Sequence, residues 1–392
     1  QMTIRHIGRH QRYNGNDKET YDVDVHSPKS VSMNPEGTKY YVNSLEGFKT
    51  IAYDARTHEK LSVVKHSFTS ADSSLWAKPS GFYTFNHEYA HPNTFSGKPV
   101  ESTFTHQGRY LWVPYYRRSF DINAQDPSAI AVIDTRSDKI IRLLETGALP
   151  KMVASSSDGK WVAVTHWGEN TVGLIDVSSN NPKDWHYTNN FIIDYKFKPS
   201  YSLTKPVNRD VGSGYCLRGT VFTPDNNYLL VGCMGGSGGI GVIDIQTRKY
   251  LGRLTGMKSN VRHILISGEW LYLSINNKGL VQRIKLNKVL EVMDTFTNRT
   301  SNVDGWETCS VRPGARTISI SPDGRYIFAA CNSGSCLAVV DTRSFKMIGS
   351  VPVDSYPVGL DISDDGKTVF VTSQGRNDRG GNAVNVYQIE YK

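Results

Sequence analysis

Short apolar runs, each bounded by turn-forming residues, recur along the whole chain. Seven segments carry one order: an apolar strand, a tight turn, a second strand, a loop, and a third strand ending in aspartate or a substitute. The turns include Pro35-Glu36-Gly37, Ser157-Asp158-Gly159 and Pro322-Asp323-Gly324, where glycine after an acidic residue supplies the left-handed backbone a hairpin needs. Second strands follow at once, as in Trp161-Val162-Ala163-Val164 and Tyr228-Leu229-Leu230-Val231. Third strands end at Asp54, Asp134, Asp176, Asp244, Lys285, Asp341 and Gln388. From Gly37, Gly108, Gly159, Asn226, Gly268, Gly324 and Gly366 to those ends, the separations are 17, 26, 17, 18, 17, 17 and 22 residues. Five separations of 17 or 18 mark a repeat. A period of roughly 45 to 70 residues predicts four-stranded propeller blades, not helical solenoids.

The predicted fold is an all-β, seven-bladed β-propeller occupying residues 1–392 as one domain. Its blades are expected at 26–61, 98–145, 148–180, 215–255, 258–292, 313–352 and 355–392. Blade seven then lacks an outer strand, and residues 2–8 are expected to supply it and close the ring. Tyr41-Val42-Asn43-Ser44, Ala329-Ala330-Cys331-Asn332-Ser333-Gly334 and Phe370-Val371-Thr372-Ser373 resemble the YVTN repeat. The resemblance spans nearly the whole chain and implies a seven-bladed propeller of the bacterial surface-layer or periplasmic type. It says little about function, because that family includes adhesion, ligand-capture and nucleic-acid-binding members. The fifth copy departs from the pattern, with Asn276-Asn277 in its loop and Lys285 in place of the terminal aspartate.

Composition agrees with many short strands: 38% apolar, 11% aromatic and 21 tyrosines. No run of eighteen apolar residues occurs, so no membrane-spanning helix is expected. The chain opens on Gln1 without the basic and apolar stretch of a signal peptide, and is read as a trimmed form of an exported protein. The expected location is therefore extracytoplasmic, in the periplasm or on the surface of a bacterium. A net charge of +8 adds an anionic partner to the picture.

Departures from the repeat point to a binding face. The stretches 62–98, 114–128 and 374–382 lengthen loops expected on one rim, around blades seven, one and two. They carry Tyr115, Tyr116, Arg117, Arg118 and Arg376, with His166 and Trp167 nearby as stacking surfaces. Aligning the innermost strands on their turns makes Lys29, Lys151, Arg218 and Arg316 equivalent, with Arg262 or His263 in the fifth copy. Glu101 falls one step along in the second copy. Equivalent positions in a ring face one axis, so these cations predict an anion-attracting mouth for phosphate, carboxylate, an acidic glycan or, as an alternative, a nucleic-acid backbone.

Other motifs carry less. His87-Glu88-Tyr89-Ala90-His91 matches H-E-x-x-H, which binds zinc when a helix sets both imidazoles on one face. Pro92 follows directly and disfavours that helix, so a loop is expected. Gly235-Gly236-Ser237-Gly238-Gly239 matches G-x-S-x-G but precedes a strand, not a helix, and is read as a blade-four loop. Cys216 and Cys233 are expected opposite one another, and Cys331 and Cys336 bracket a four-residue loop; each pair could bridge in an oxidising compartment. The repeated aspartates are read as turn-binding groups. Asn298-Arg299-Thr300 is a glycosylation sequon. No catalytic set and no cofactor is read from the chain. The expected function is a non-enzymatic envelope protein whose basic, aromatic rim holds an anionic small molecule, a glycan or an envelope protein. The alternatives are a scaffold subunit of a surface complex and a hydrolase or lyase working at the channel mouth.

Overall fold

The computed structural model describes residues 1–12, 20–211, 213–296, 299–376 and 380–392. Asn298, the sequon asparagine, and residues 377–379 of the blade-seven insertion lie outside them. The strands fall into seven sheets, and the chain is an all-β, seven-bladed β-propeller with four-stranded blades. By internal contacts it divides into two compact units.

The first unit comprises residues 1–63, 267–285 and 305–392. Blade seven runs Pro357–Ile362, Thr368–Ser373 and Ala383–Tyr391, and its outer strand is Met2–Gln11. That strand pairs antiparallel from Met2↔Tyr391 to Gln11↔Ala383, with a bulge between His6 and Gly8. The predicted closure therefore forms, three residues longer than expected. Second strands such as Lys39–Ser44 are buried on both faces, which explains their unbroken apolar runs. Tyr40, Tyr53, Phe370 and Val386 meet in one core cluster, with the Tyr40 and Phe370 rings 4.5 Å apart. In blade five the strands Trp270–Ile275 and Leu280–Lys285 are followed by an outer strand at Glu307–Ser310, well past the expected limit at 292.

The second unit comprises residues 64–266 and 286–304. Blade three is Pro150–Ser155, Trp161–His166, Thr171–Asp176 and His186–Ile192, so its outer strand lies beyond the expected end at 180. Blade four is Leu217–Phe222, Tyr228–Cys233, Ile240–Asp244 and Lys249–Thr255, and Thr300–Asn302 adds to its edge in parallel. The only α-helix among the described residues, Leu286–Glu291, buries Leu286 and Val289. Blade two corrects an expectation. Residues 114–118, read as loop, extend the second strand to Tyr110–Arg118. The strand Phe95–Pro99, from the long connection, pairs with that extension at Gly97↔Arg118 and Pro99↔Tyr115, while Thr103–Thr105 pairs with the lower half.

The aspartates ending third strands bind turn amides, as expected. Asp54 accepts from the Arg56 and Thr57 N–H groups, Asp244 from those of Gln246 and Thr247, and Asp341 from that of Arg343. These bonds favour the charged form and hold the Asp54 and Asp341 carboxyls below the usual aspartate range; at Asp341 the Arg325 side chain is the largest cause.

Candidate anion-binding site

The second unit brings together part of the predicted rim. Lys151 stands on the innermost strand of blade three and Arg218 on that of blade four; both are about 95% buried, at 5% and 4% exposure. Lys151 Nζ lies 4.8 Å from the Tyr116 ring centroid and 4.9 Å from that of Trp167. The Arg218 guanidinium lies 4.8 Å from the same Trp167 ring. One indole thus serves two cations from neighbouring blades.

Trp167 is fully buried just past the strand Trp161–His166. Its backbone N–H donates to Leu149 O at 2.9 Å and its Nε1–H to Arg209 O at 2.9 Å, so its plane is fixed from both sides. Ala124, Leu149, Trp167 and Cys216 form an apolar floor, with Tyr116 and Met234 packed against it. Burial pushes the Tyr116 hydroxyl up to about 12 against the pull of nearby arginines, and burial also raises the Cys216 thiol while Arg218 and Lys151 oppose it. Arg262 Nη1 donates to Met234 Sδ at 3.3 Å.

Arg209, which sequence reasoning missed, is the second support. It is buried, donates through Nη1 to Asn123 O and Ala124 O, through Nε to Ser213 Oγ, and faces the Tyr201 ring at 4.9 Å. Desolvation lowers its guanidinium below the ordinary arginine value. Around it, Asn123, Gln125 and Asn170 side chains pin the backbone of the connection between blades three and four. Asn123 binds Ser202 O, Lys205 O and Val207 N–H; Gln125 binds Tyr201 N–H and O; Asn170 binds Ile193 O and Tyr195 O. The signal for this element was the 34 residues left unassigned between the expected blades ending at 180 and starting at 215.

Several predicted rim residues belong to the interior instead. Tyr115 is fully buried, and its hydroxyl bonds His66 Nδ1 at 2.6 Å. Arg118 is buried in a cage of Trp76, Phe85 and Phe95 rings at 4.9–5.2 Å, and donates to Pro92 O, Asn93 Oδ1 and Ser128 O. Desolvation lowers it to about 10. His166 is fully buried against Thr171 Oγ1 and Tyr83, and burial lowers it to about 3, so it is neutral. The cause in each case is the strand extension of blade two and the connection 62–98, which cover these side chains. Arg117 folds back on the Ser119 carbonyl. Glu101 and His263 are half-buried.

In the first unit, Lys29 and Arg316 are buried on the innermost strands of blades one and six. Arg316 and Arg376 both face the Tyr356 ring, at 5.9 and 4.6 Å. Asp361, half-buried on the innermost strand of blade seven, accepts from the Met33 and Ile362 N–H groups; desolvation raises it to about 7.

The H-E-x-x-H stretch runs through irregular chain, so His87 and His91 do not share a helix face; His87 Nδ1 sits 2.8 Å from Asp126 Oδ2. Among the described residues no group of three or more His, Cys, Asp or Glu is placed to hold a metal. The stretch 235–239 is a loop leading into Ile240–Asp244, as expected. All five cysteines are free thiols. Leu217, not Cys216, stands opposite Cys233, which offsets that pair by one residue, whereas Cys331 and Cys336 are direct partners.

No family model and no curated protein matches the chain. Among solved structures, it is similar to Kuenenia stuttgartiensis hydrazine synthase, with a TM-score of 0.64 and 15% identity over 96% of this chain and 98% of that one. It is also similar to the β-propeller domain of Cps50 (Swd1) from Myceliophteria thermophila, with a TM-score of 0.59 and 11% identity over 93% and 96%. At such identities the likeness establishes the β-propeller fold and nothing finer.

Proposed function

We propose that this propeller is a non-enzymatic binding protein of the bacterial envelope, of the YVTN type, that captures a small anion over Lys151, Trp167 and Arg218. The observation behind this reading is two buried cations sharing one indole. Each cation–π contact contributes about 0.5–2 kcal/mol and holds its cation beside the indole. An anion seated between the ammonium and the guanidinium adds two charge-assisted hydrogen bonds, and Tyr116 and Trp167 bound whatever ring or sugar it carries.

Calorimetric titration with inorganic phosphate and with citrate tests the reading, alongside native mass spectrometry of protein taken from its own source. Binding is expected with a Kd below about 1 mM, weakened at least tenfold in Lys151→Ala and in Arg218→Ala. Silence from both anions, with no retained adduct, would sink it.

A partner protein is the second reading, and the connection 192–211 favours it. Ile192, Tyr195, Leu203, Val207 and Val211 are exposed there, on a backbone held by the Asn123, Gln125 and Asn170 side chains. A co-purifying chain lost in Leu203→Asp would favour this scaffold role over ligand capture.

A further inference from the structure

We propose that Cys331 and Cys336 are an oxidative modification site, a dithiol that a small peroxide closes into a disulfide across blade six. The second strand of that blade, Tyr326–Cys331, ends where the third, Cys336–Asp341, begins, and the two cysteines are the last directly opposed pair of the ladder. Opposed residues of an antiparallel pair have Cα atoms about 4.5–5.5 Å apart, within the span a disulfide bridges. No other two of the five cysteines are so placed: Cys216 is offset from Cys233, and Cys309 turns its Sγ to the Ser310 carbonyl.

The two sulfurs differ in environment, as a reacting pair requires. Cys331 is fully buried, with the Ala329 carbonyl 3.6 Å from its Sγ and the Cys336 sulfur as a second acceptor. Cys336 keeps a little exposure at the end of its strand. The hydrogen bond from Cys331 and the Arg312 charge lower the Cys336 thiol and raise its thiolate fraction, making it the attacking sulfur.

The Cys336 thiolate attacks one oxygen of hydrogen peroxide. The O–O bond breaks, hydroxide leaves and takes up a proton, and Cys336 becomes a sulfenic acid. Cys331 then gives up its proton and attacks the Cys336 sulfur; the S–O bond breaks and a second water leaves. Two thiols lose two electrons in all, and one peroxide is reduced to two waters.

The disulfide would fasten the loop 332–335 at both ends. Asn332 N–H donates to Gly314 O, Gly334 N–H to Pro313 O, and Asn276 Nδ2 to Asn332 Oδ1, so the state of the pair reaches the loops of blades five and six.

The test is peptide mapping of the full chain, without reductant, after brief exposure to hydrogen peroxide. The expected result is loss of two hydrogens in intact mass, a linked Cys331–Cys336 peptide, and reversal by dithiothreitol. In Cys331→Ser, dimedone should trap a sulfenic acid on Cys336. Unlinked peptides, whether the thiols stay intact or Cys336 gains oxygens, overturn the proposal. Mapping the unmutated chain decides the case even where a serine variant does not fold.

Discussion

Glu269 and Lys285 form an ion pair in blade five with the polarity of its counterparts inverted. In blades two and six the residue before the second strand is arginine and the third strand ends in aspartate, giving the two-pronged pairs Arg109–Asp134 and Arg325–Asp341. Blade five exchanges the charges and sets Lys285 Nζ 4.2 Å from the Trp270 ring as well. The loss of the terminal aspartate is thus compensated one strand away.

Reversing one partner should cost more than reversing both. Lys285→Asp places two carboxylates together and should lower stability by about 0.5–1 kcal/mol, the range of exposed pairs. Glu269→Arg combined with Lys285→Asp should recover most of it. Urea unfolding of the single and double variants measures the coupling.

Stability and binding should part company at Lys151. Lys151→Met keeps the length of the side chain and its apolar stem against the Tyr116 and Trp167 rings while removing the ammonium. Phosphate binding should fall at least tenfold while the variant still folds and melts cooperatively. A variant that loses both together would mean that Lys151 is a packing residue.

Gly173 is the floor on which the 62–98 connection rests. A Cβ there would stand 2.5 Å from Tyr83 Oη and 2.7 Å from Tyr187 Cε1. Tyr83 is buried and donates to Asn190 Oδ1 at 3.2 Å. Gly173→Ala should displace it at a cost of about 1–3 kcal/mol, and limited proteolysis should then cut faster within 76–94.

Asp361 should make the first unit less stable as pH rises. Its folded value of about 7 stands above the ordinary aspartate value of 3.8, so between those values the folded state holds a proton that the unfolded chain releases. The contribution is fully present below pH 3.8 and is lost as pH rises through about 7. Melting temperatures of the wild type and Asp361→Asn across that window should show a flatter profile for the variant.

The propeller was legible because its information is local and repeated. Turn residues such as Asp323-Gly324, and their distance to the strand ends, lie within one hairpin. The closing strand was legible too, since a missing edge demands a partner. Tyr115 and Arg118 were misplaced because their burial depends on His66, Trp76 and Phe95, tens of residues upstream, and no local pattern marks a strand extension paired from so far away. Cys216 went astray by a single residue of register, which is enough to turn a side chain to the other face. Equivalence between blades placed Lys151 and Arg218 at matching positions of their innermost strands, where they stand, whereas Trp167 was read as an exposed stacking surface and is buried. Arg209 has no counterpart in the repeat and could be found only as part of an unassigned gap.

The pairing of Met2–Gln11 with Ala383–Tyr391 has a consequence for synthesis. At ribosomal rates of about 5–20 residues per second, Met2–Gln11 is made roughly 20–75 seconds before Ala383–Tyr391. Until then Met2–Gln11 has no ladder partner. Whatever shields that strand in the interval governs how much newly made protein reaches the closed state without joining strand to strand with a neighbour.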